Sequence, residues 1–226
     1  HAAAHGSSSR SAPPSIPFAP NINTRPFVSE IIVLRDHCSQ MKNPWTTLST
    51  RNIYRNQWIG LREDAVLRPD GGPGIYSVVE VRPSIGVLAL NSRGELLLVG
   101  QWRYPVNRYS WEIPRGGSQE GETDLQSVAE RELREEAGVR ASHWQRLLAW
   151  DVNNGITDDV EHMFLATGIT HTTAEPDPEE EITVRWVPFP EAVAMVTRGE
   201  ITEVCTAAAI LLLHALGISP GQFRIS

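Results

Sequence analysis

Between Gly116 and Val139 the chain reads GGSQEGETDLQSVAERELREEAGV, a glycine-bounded segment carrying seven acidic residues. Leu125, Val128, Ala129, Leu133 and Ala137 recur at helical spacing, which predicts a helix with one apolar stripe turned to a core. Thr123 or Asp124 suits its N-cap, and Gly138 suits the left-handed position that ends it. At about 100° per residue, Glu132 and Glu136 fall one turn apart on the same face, with Glu135 beside them. Like charges stacked in this way repel, weakening an isolated helix by about a few tenths of a kcal/mol per pair. A glutamate-rich solvated face is the ordinary reading of such a run, but this spacing argues for a ligand. Clustered carboxylates suit a hard divalent cation, Mg²⁺ above all, which takes oxygen ligands and cancels the repulsion. Gly116 and Gly117 precede the helix, where backbone without a Cβ lets a ligand come close. The predicted unit is a loop and helix with one face in the core and a carboxylate cluster on a cleft.

The segment resembles the signature of the Nudix hydrolases, G-x5-E-x7-R-E-U-x-E-E-x-G-U with U aliphatic. Gly116, Glu122, Arg131, Glu132, Leu133, Glu135, Glu136, Gly138 and Val139 supply its fixed residues. Eight residues rather than seven separate Glu122 from Arg131. The extra one is expected in the loop or at the helix start, where insertion is cheapest. The resemblance implies hydrolysis of a nucleoside diphosphate linked to another moiety. Divalent ions, Mg²⁺ with Mn²⁺ as a substitute, would neutralise the diphosphate and help make hydroxide from water. It implies metal binding by Glu132, Glu135 and Glu136 and by the backbone carbonyl of Arg115, with Glu135 and Glu136 also counted as catalytic. Arg131 reads as an internal ion-pair partner that orients a glutamate.

The flanks narrow the resemblance. Gln101-Trp102-Arg103-Tyr104-Pro105, then Trp111-Glu112-Ile113-Pro114, resemble the matching region of ADP-ribose pyrophosphatases and related nucleotide-sugar pyrophosphatases. This implies substrate binding by Arg103, whose planar donors match phosphate oxygens, and by Glu112. A strand-edge salt bridge is the structural alternative for Arg103, and a structural hydrogen bond for Glu112. Trp102, Tyr104 and Trp111 are candidates for stacking on a base, although aromatic residues flanking a strand are more often core. The loop 153–159 and strand 160–166 resemble the family's post-signature region, but Asn154 stands where ADP-ribose pyrophosphatases commonly carry proline. GDP-mannose, other nucleotide sugars, and flavin or dinucleotide substrates therefore stay open. The acidic loop 175–181 matches a mobile loop from which related enzymes draw a catalytic glutamate. Glu180 is the residue chosen for it, with Glu179 and Glu181 close behind. His162, His171 and His214 read as structural, and sequence alone does not place Arg82, Arg108 or the Arg115 side chain.

The rest of the chain agrees with a soluble enzyme. A net charge of −7 argues against broad nucleic-acid binding without excluding a nucleotide. Cys38 and Cys205 give no disulfide framework. The longest apolar stretch, Val204 to Leu216, falls short of the ~20 residues of a membrane span and reads as a buried or dimer-facing helix. No secretory signal is visible, so the cytoplasm is the expected setting. Residues 1–40 are small, polar and proline-rich, and could not bury enough apolar surface to order themselves. They are expected to be an appended sequence or an extended reading frame ahead of Met41, with a targeting peptide as the weaker reading. Strands are expected at 52–59 and 75–81, and a hairpin at 85–90 and 95–101. Further strands are expected near 144–150, 162–167 and 182–187, and helices at 190–198 and 201–216.

The expected fold is α/β (α+β). A Nudix-like mixed sheet sandwiched between helices occupies 84–226, and a small antiparallel β unit occupies 41–83. The leading strands and the terminal helix, by resemblance, imply a homodimer in which Trp58 contacts a base across the interface. The functional expectation is a Mg²⁺-dependent pyrophosphatase acting on ADP-ribose, to AMP and ribose 5-phosphate, or on a related nucleotide sugar. The alternatives are a nucleoside triphosphate pyrophosphohydrolase and a non-catalytic nucleotide-sensing domain.

Overall fold

The computed structural model describes residues 42–174 and 181–217. The expected leader and Glu179 and Glu180 lie outside them. The first sheet is an antiparallel meander of β1 (Thr46–Arg55), β2 (Ile59–Leu67) and β3 (Pro73–Val81). The strand expected at 52–59 is in fact broken. Asn56 Oδ1 accepts the backbone N–H groups of Trp58 and Ile59, both at 2.8 Å, and turns the chain back. This local side-chain turn, followed by the charged run Arg62-Glu63-Asp64, hid β2 from a reading of apolar alternation.

Two further sheets form the catalytic core. One is antiparallel, in the order β10 (Thr183–Pro188), β5 (Glu95–Arg103), β6 (Arg108–Glu112). The other runs β7 (Arg115–Gly117), β4 (Ser84–Ala89), β9 (Val160–His171), β8 (Val139–Asp151), and is mixed because β4 and β9 are parallel. The expected hairpin of β4 and β5 is corrected here. The two strands share one bridge, Leu90 with Leu96, and then separate into different sheets. Both edges of each are already occupied, β4 by β7 and β9, β5 by β6 and β10.

The helices explain why these strands are continuous apolar runs. Ile85, Val87, Leu97 and Phe164 face one core with Val128 and Leu133 of α1 (Leu125–Ala137). Leu88, Leu96, Leu98 and Met163 face the other, closed by α2 (Phe189–Thr197) and α3 (Val204–Ala215). Strands covered on both faces need no polar alternation. The expected mixed sheet between helices is therefore present, with a second small sheet completing it.

The meander is tied to the core through the loop after β8. Val79 N–H donates to the Ile156 carbonyl at 2.8 Å, Val81 N–H to Asp158 Oδ1 at 3.0 Å, and Ser84 Oγ to Asp159 Oδ1 at 2.9 Å. No helix among the described residues is long and apolar enough to cross a membrane.

Candidate active site

Helix α1 forms as its sequence dictates. Asp124 Oδ1 accepts the Gln126 N–H at 3.1 Å, and Gly138 closes the helix at φ 60°. A side chain at Gly138 would also strike the Ala174 backbone, its Cβ 2.7 Å from that nitrogen. Glu136 falls on the buried stripe with Ala129 and Leu133, so this carboxylate lies beneath the surface rather than on it. It accepts the Arg115 N–H at 3.1 Å and thereby ties the helix to β7.

Arg131 acts as expected of an internal partner. Its Nη1 reaches Glu132 Oε1 at 2.9 Å and Glu135 Oε2 at 3.0 Å, and its Nη2 reaches Glu122 Oε2 at 3.2 Å. The extra residue after Glu122 thus leaves this ion pair whole. The turn before the helix is held by Gln119 N–H donating to Glu122 Oε2 at 2.6 Å, with Gly121 at φ 86°. That backbone bond, then the guanidinium, keeps Glu122 below the usual carboxylate range. Burial pulls the Arg131 pKa down, but its three carboxylates outweigh this and raise it.

Glu132 occupies space that only glycine leaves open. A Cβ on Gly116 would fall 2.2 Å from its carboxylate carbon. The Glu132 carboxylate is thus packed against the loop backbone, and its oxygens are of the hard kind that a Mg²⁺-class cation takes. Among the described residues, however, no three of these carboxylates converge into a ready metal cluster. Arg131 gathers Glu132 and Glu135, while Glu136 faces the Arg115 N–H.

Arg103 and Glu112, both expected at the substrate, bind each other. Nε and Nη2 of Arg103 reach the two carboxylate oxygens at 3.0 and 2.7 Å. Glu112 is 1% exposed; burial pushes its pKa up, but the Arg103 bonds and charge outweigh it and hold it below the ordinary value. The bidentate clamp leaves Arg103 Nη1 without a hydrogen-bond partner among the described residues.

The Arg115 side chain was not placed by the sequence. It runs inward to Glu161, to Glu203 Oε1 at 3.1 Å and to Glu112 Oε2 at 3.7 Å. Glu161 is fully buried, and burial raises its pKa despite the arginine. Glu203 also caps α3, accepting the Cys205 and Thr206 N–H groups at 3.0 and 2.7 Å. Thr206 Oγ1 in turn accepts the Ile113 N–H at 3.2 Å. The available signals were a lone carboxylate inside the apolar strand 160–166 and an acidic residue just before an apolar helix.

Elsewhere, His162 is nearly buried and meets Arg146 Nη2 at 2.7 Å, a structural setting. Trp58 stands 68% exposed at the β1–β2 turn.

Residues 80–204 match the NUDIX domain family, more than half of the chain. The chain belongs to the Nudix hydrolases. Residues 45–79 match a second family, described as a nucleoside diphosphate sugar hydrolase N-terminal domain, and this coincides with the β1–β3 meander. The ADP-ribose pyrophosphatase of Mycobacterium tuberculosis (strain ATCC 25618 / H37Rv) is 33% identical over 81% of this chain and 89% of its own length. That of Bacillus subtilis (strain 168) is 30% identical over 74% and 91%. A solved structure of an ADP compounds hydrolase superposes with a TM-score of 0.70 at 17% identity, covering 80% of this Nudix chain and 97% of that one. This last likeness concerns the fold. Nudix hydrolases as a family use divalent metal ions.

Proposed function

We propose that this Nudix hydrolase cleaves the diphosphate of a nucleoside diphosphate joined to a second moiety, ADP-ribose or a related nucleotide sugar. One observation carries the reading: Arg115 joins the signature carboxylates to the Arg103–Glu112 clamp, its N–H on Glu136 and its guanidinium near Glu112. The names of the two bacterial relatives support ADP-ribose as the first candidate.

Glu132, Glu135, Glu136 and the Arg115 carbonyl would hold Mg²⁺ or Mn²⁺, which supplies charge neutralisation and a water of lowered pKa. The chain's own residues do the rest. Arg103 donates Nη1–H to phosphate oxygens while Glu112 fixes the plane of its guanidinium. Arg131 keeps Glu132 and Glu135 on one side of the helix. Glu180 takes a proton from the attacking water.

The deciding experiment is product analysis with Mg²⁺ on ADP-ribose, GDP-mannose, UDP-glucose, NADH, FAD and a nucleoside triphosphate. AMP and ribose 5-phosphate from ADP-ribose, at a kcat/KM about tenfold or more above the others, is expected. Preferred turnover of the triphosphate would overturn the substrate class. In the same assay a Glu180→Gln loss of less than about tenfold, ~1.4 kcal/mol of barrier, would remove Glu180 from the mechanism.

We also infer a cytoplasmic homodimer joined through the meander, with residues 1–40 dispensable. Leu48, Ile53, Tyr54, Trp58 and Ile75 expose large apolar surface there, and the exposure of Trp58 supports its reading as a contact to a base across the interface. A monomer mass in light scattering would exclude the dimer, recovery outside the cytosolic fraction would exclude that location, and activity lost on deleting residues 1–40 would make them part of the enzyme.

A further inference from the structure

Arg103 and Arg108 stand directly opposite each other in the β5–β6 pairing. Like charges so placed weaken a strand pair, and here only one is compensated. Glu112 clamps Arg103, whereas Arg108 has no ion pair among the described residues. Side chains alternate along β6, so Arg108, Ser110 and Glu112 share one face. Their cross-strand partners on that face include Arg103 and Gln101, and the Gln101 Nε2 is buried without a hydrogen-bond partner among the described residues. With Arg103 Nη1, three donor groups without a partner among the described residues thus lie on one side of this pair of strands.

The same face walls a cavity of about 370 Å³ bounded by Arg103, Arg108, Glu112, Arg115, Val106 and Val204. It shares Arg103, Glu112 and Arg115 with the proposed diphosphate site, so it opens from the place where the bond is cut. Its volume lies near the lower limit for ligand cavities and has room for a sugar phosphate, so the lining rather than the size must choose between the two halves of the substrate. Among the described residues no aromatic ring lines it, and they offer a base no stacking surface there. Arg108 is exposed where it lines this cavity, and a guanidinium with no ion pair among the described residues offers planar donors to a phosphoryl oxygen there.

We propose that Arg108 binds the phosphoryl group of the non-nucleoside half of the substrate, acting across the strand pair from Arg103. Arg108 then sets specificity for that half. The assignment rests on the diphosphate reading above and names the subsite within it.

The test is calorimetric titration of the full chain in MgCl₂ with ribose 5-phosphate, ribose and AMP, on wild type, Arg108→Ala and Arg108→Lys. Wild type is expected to bind ribose 5-phosphate in preference to ribose. Arg108→Ala should weaken ribose 5-phosphate by about tenfold or more and AMP by less than about twofold, with Arg108→Lys intermediate. With ADP-ribose, KM should rise about tenfold while kcat changes by less than about threefold. Wild type that fails to bind ribose 5-phosphate, or an Arg108→Ala variant that binds it normally, overturns the proposal. Equal weakening of AMP also overturns it, because Arg108 would then serve the nucleotide half. If ribose 5-phosphate binds through Arg108 and yet no compound of the panel is hydrolysed, the proposed reaction fails and the subsite stands.

Discussion

Glu136→Gln is expected to lower kcat by about a thousandfold, ~4 kcal/mol of barrier, while the far-UV spectrum and melting temperature stay near those of wild type. Glutamine keeps the shape of the buried side chain and an oxygen to accept the Arg115 N–H, so the tie from α1 to β7 survives. It loses the negative charge that the proposed cation site needs. Steady-state kinetics with saturating Mg²⁺ measures the loss, and raising Mg²⁺ further should recover little of it. Near-normal turnover would remove Glu136 from the reaction and leave it as a clasp between helix and loop.

Arg115→Met should produce the largest loss of stability. The substitution keeps the backbone N–H and carbonyl but removes the cation shared by Glu112, Glu161 and Glu203. Breaking a buried ion pair from one side costs about 3–5 kcal/mol, or roughly 6–20 °C in melting temperature for a chain of this size. The deficit should depend on pH with a definite sign. Burial raises the Glu161 pKa in the folded protein, so the folded state holds its proton where the unfolded state has released it. Its contribution is present below the ordinary glutamate pKa of about 4.3 and declines as pH rises through the raised folded value. Without Arg115 that rise is larger, so wild type and variant should converge at acid pH and diverge toward neutrality. A uniform deficit from acid to neutral pH would mean that Arg115 contributes packing rather than charge.

The extent of the signature helix and its Gly138 stop were legible because each is written in a few adjacent residues, whereas the choice of Asp124 over Thr123 as cap and the burial of Glu136 were not. Nor was the arrangement of β4 and β5. A tight turn between two apolar runs reads as a hairpin, and only the distant partners β9 and β10 show that each strand has its edges taken. The site divides in the same way. That Arg131 pairs internally with a glutamate followed from the signature, but that Glu122 is one of its partners across the extra residue appears only in the structure. The nest of Glu161 and Glu203 around Arg115 joins a strand, a helix start and a loop far apart in the chain, and no local period marks it. Arg103 and Glu112 were each chosen from their flanks, but that they hold one another appears only once β5 and β6 are laid side by side.

The parallel pairing of β4 with β9 bears on how this chain is made. Ser84 is matched with Glu161, so the central sheet closes only after some third of the sequence has been synthesised beyond β4. The β1–β3 meander needs only neighbours in sequence and has no such delay. A nascent chain halted before Val160 would carry a finished amino-terminal sheet and the whole signature helix, yet lack the strand on which that helix's core is built. Contacts of such long sequence separation slow folding and prolong exposure of apolar strands. Emergence of β9 from the ribosome therefore lets the mixed sheet close, while β5 waits still longer for β10.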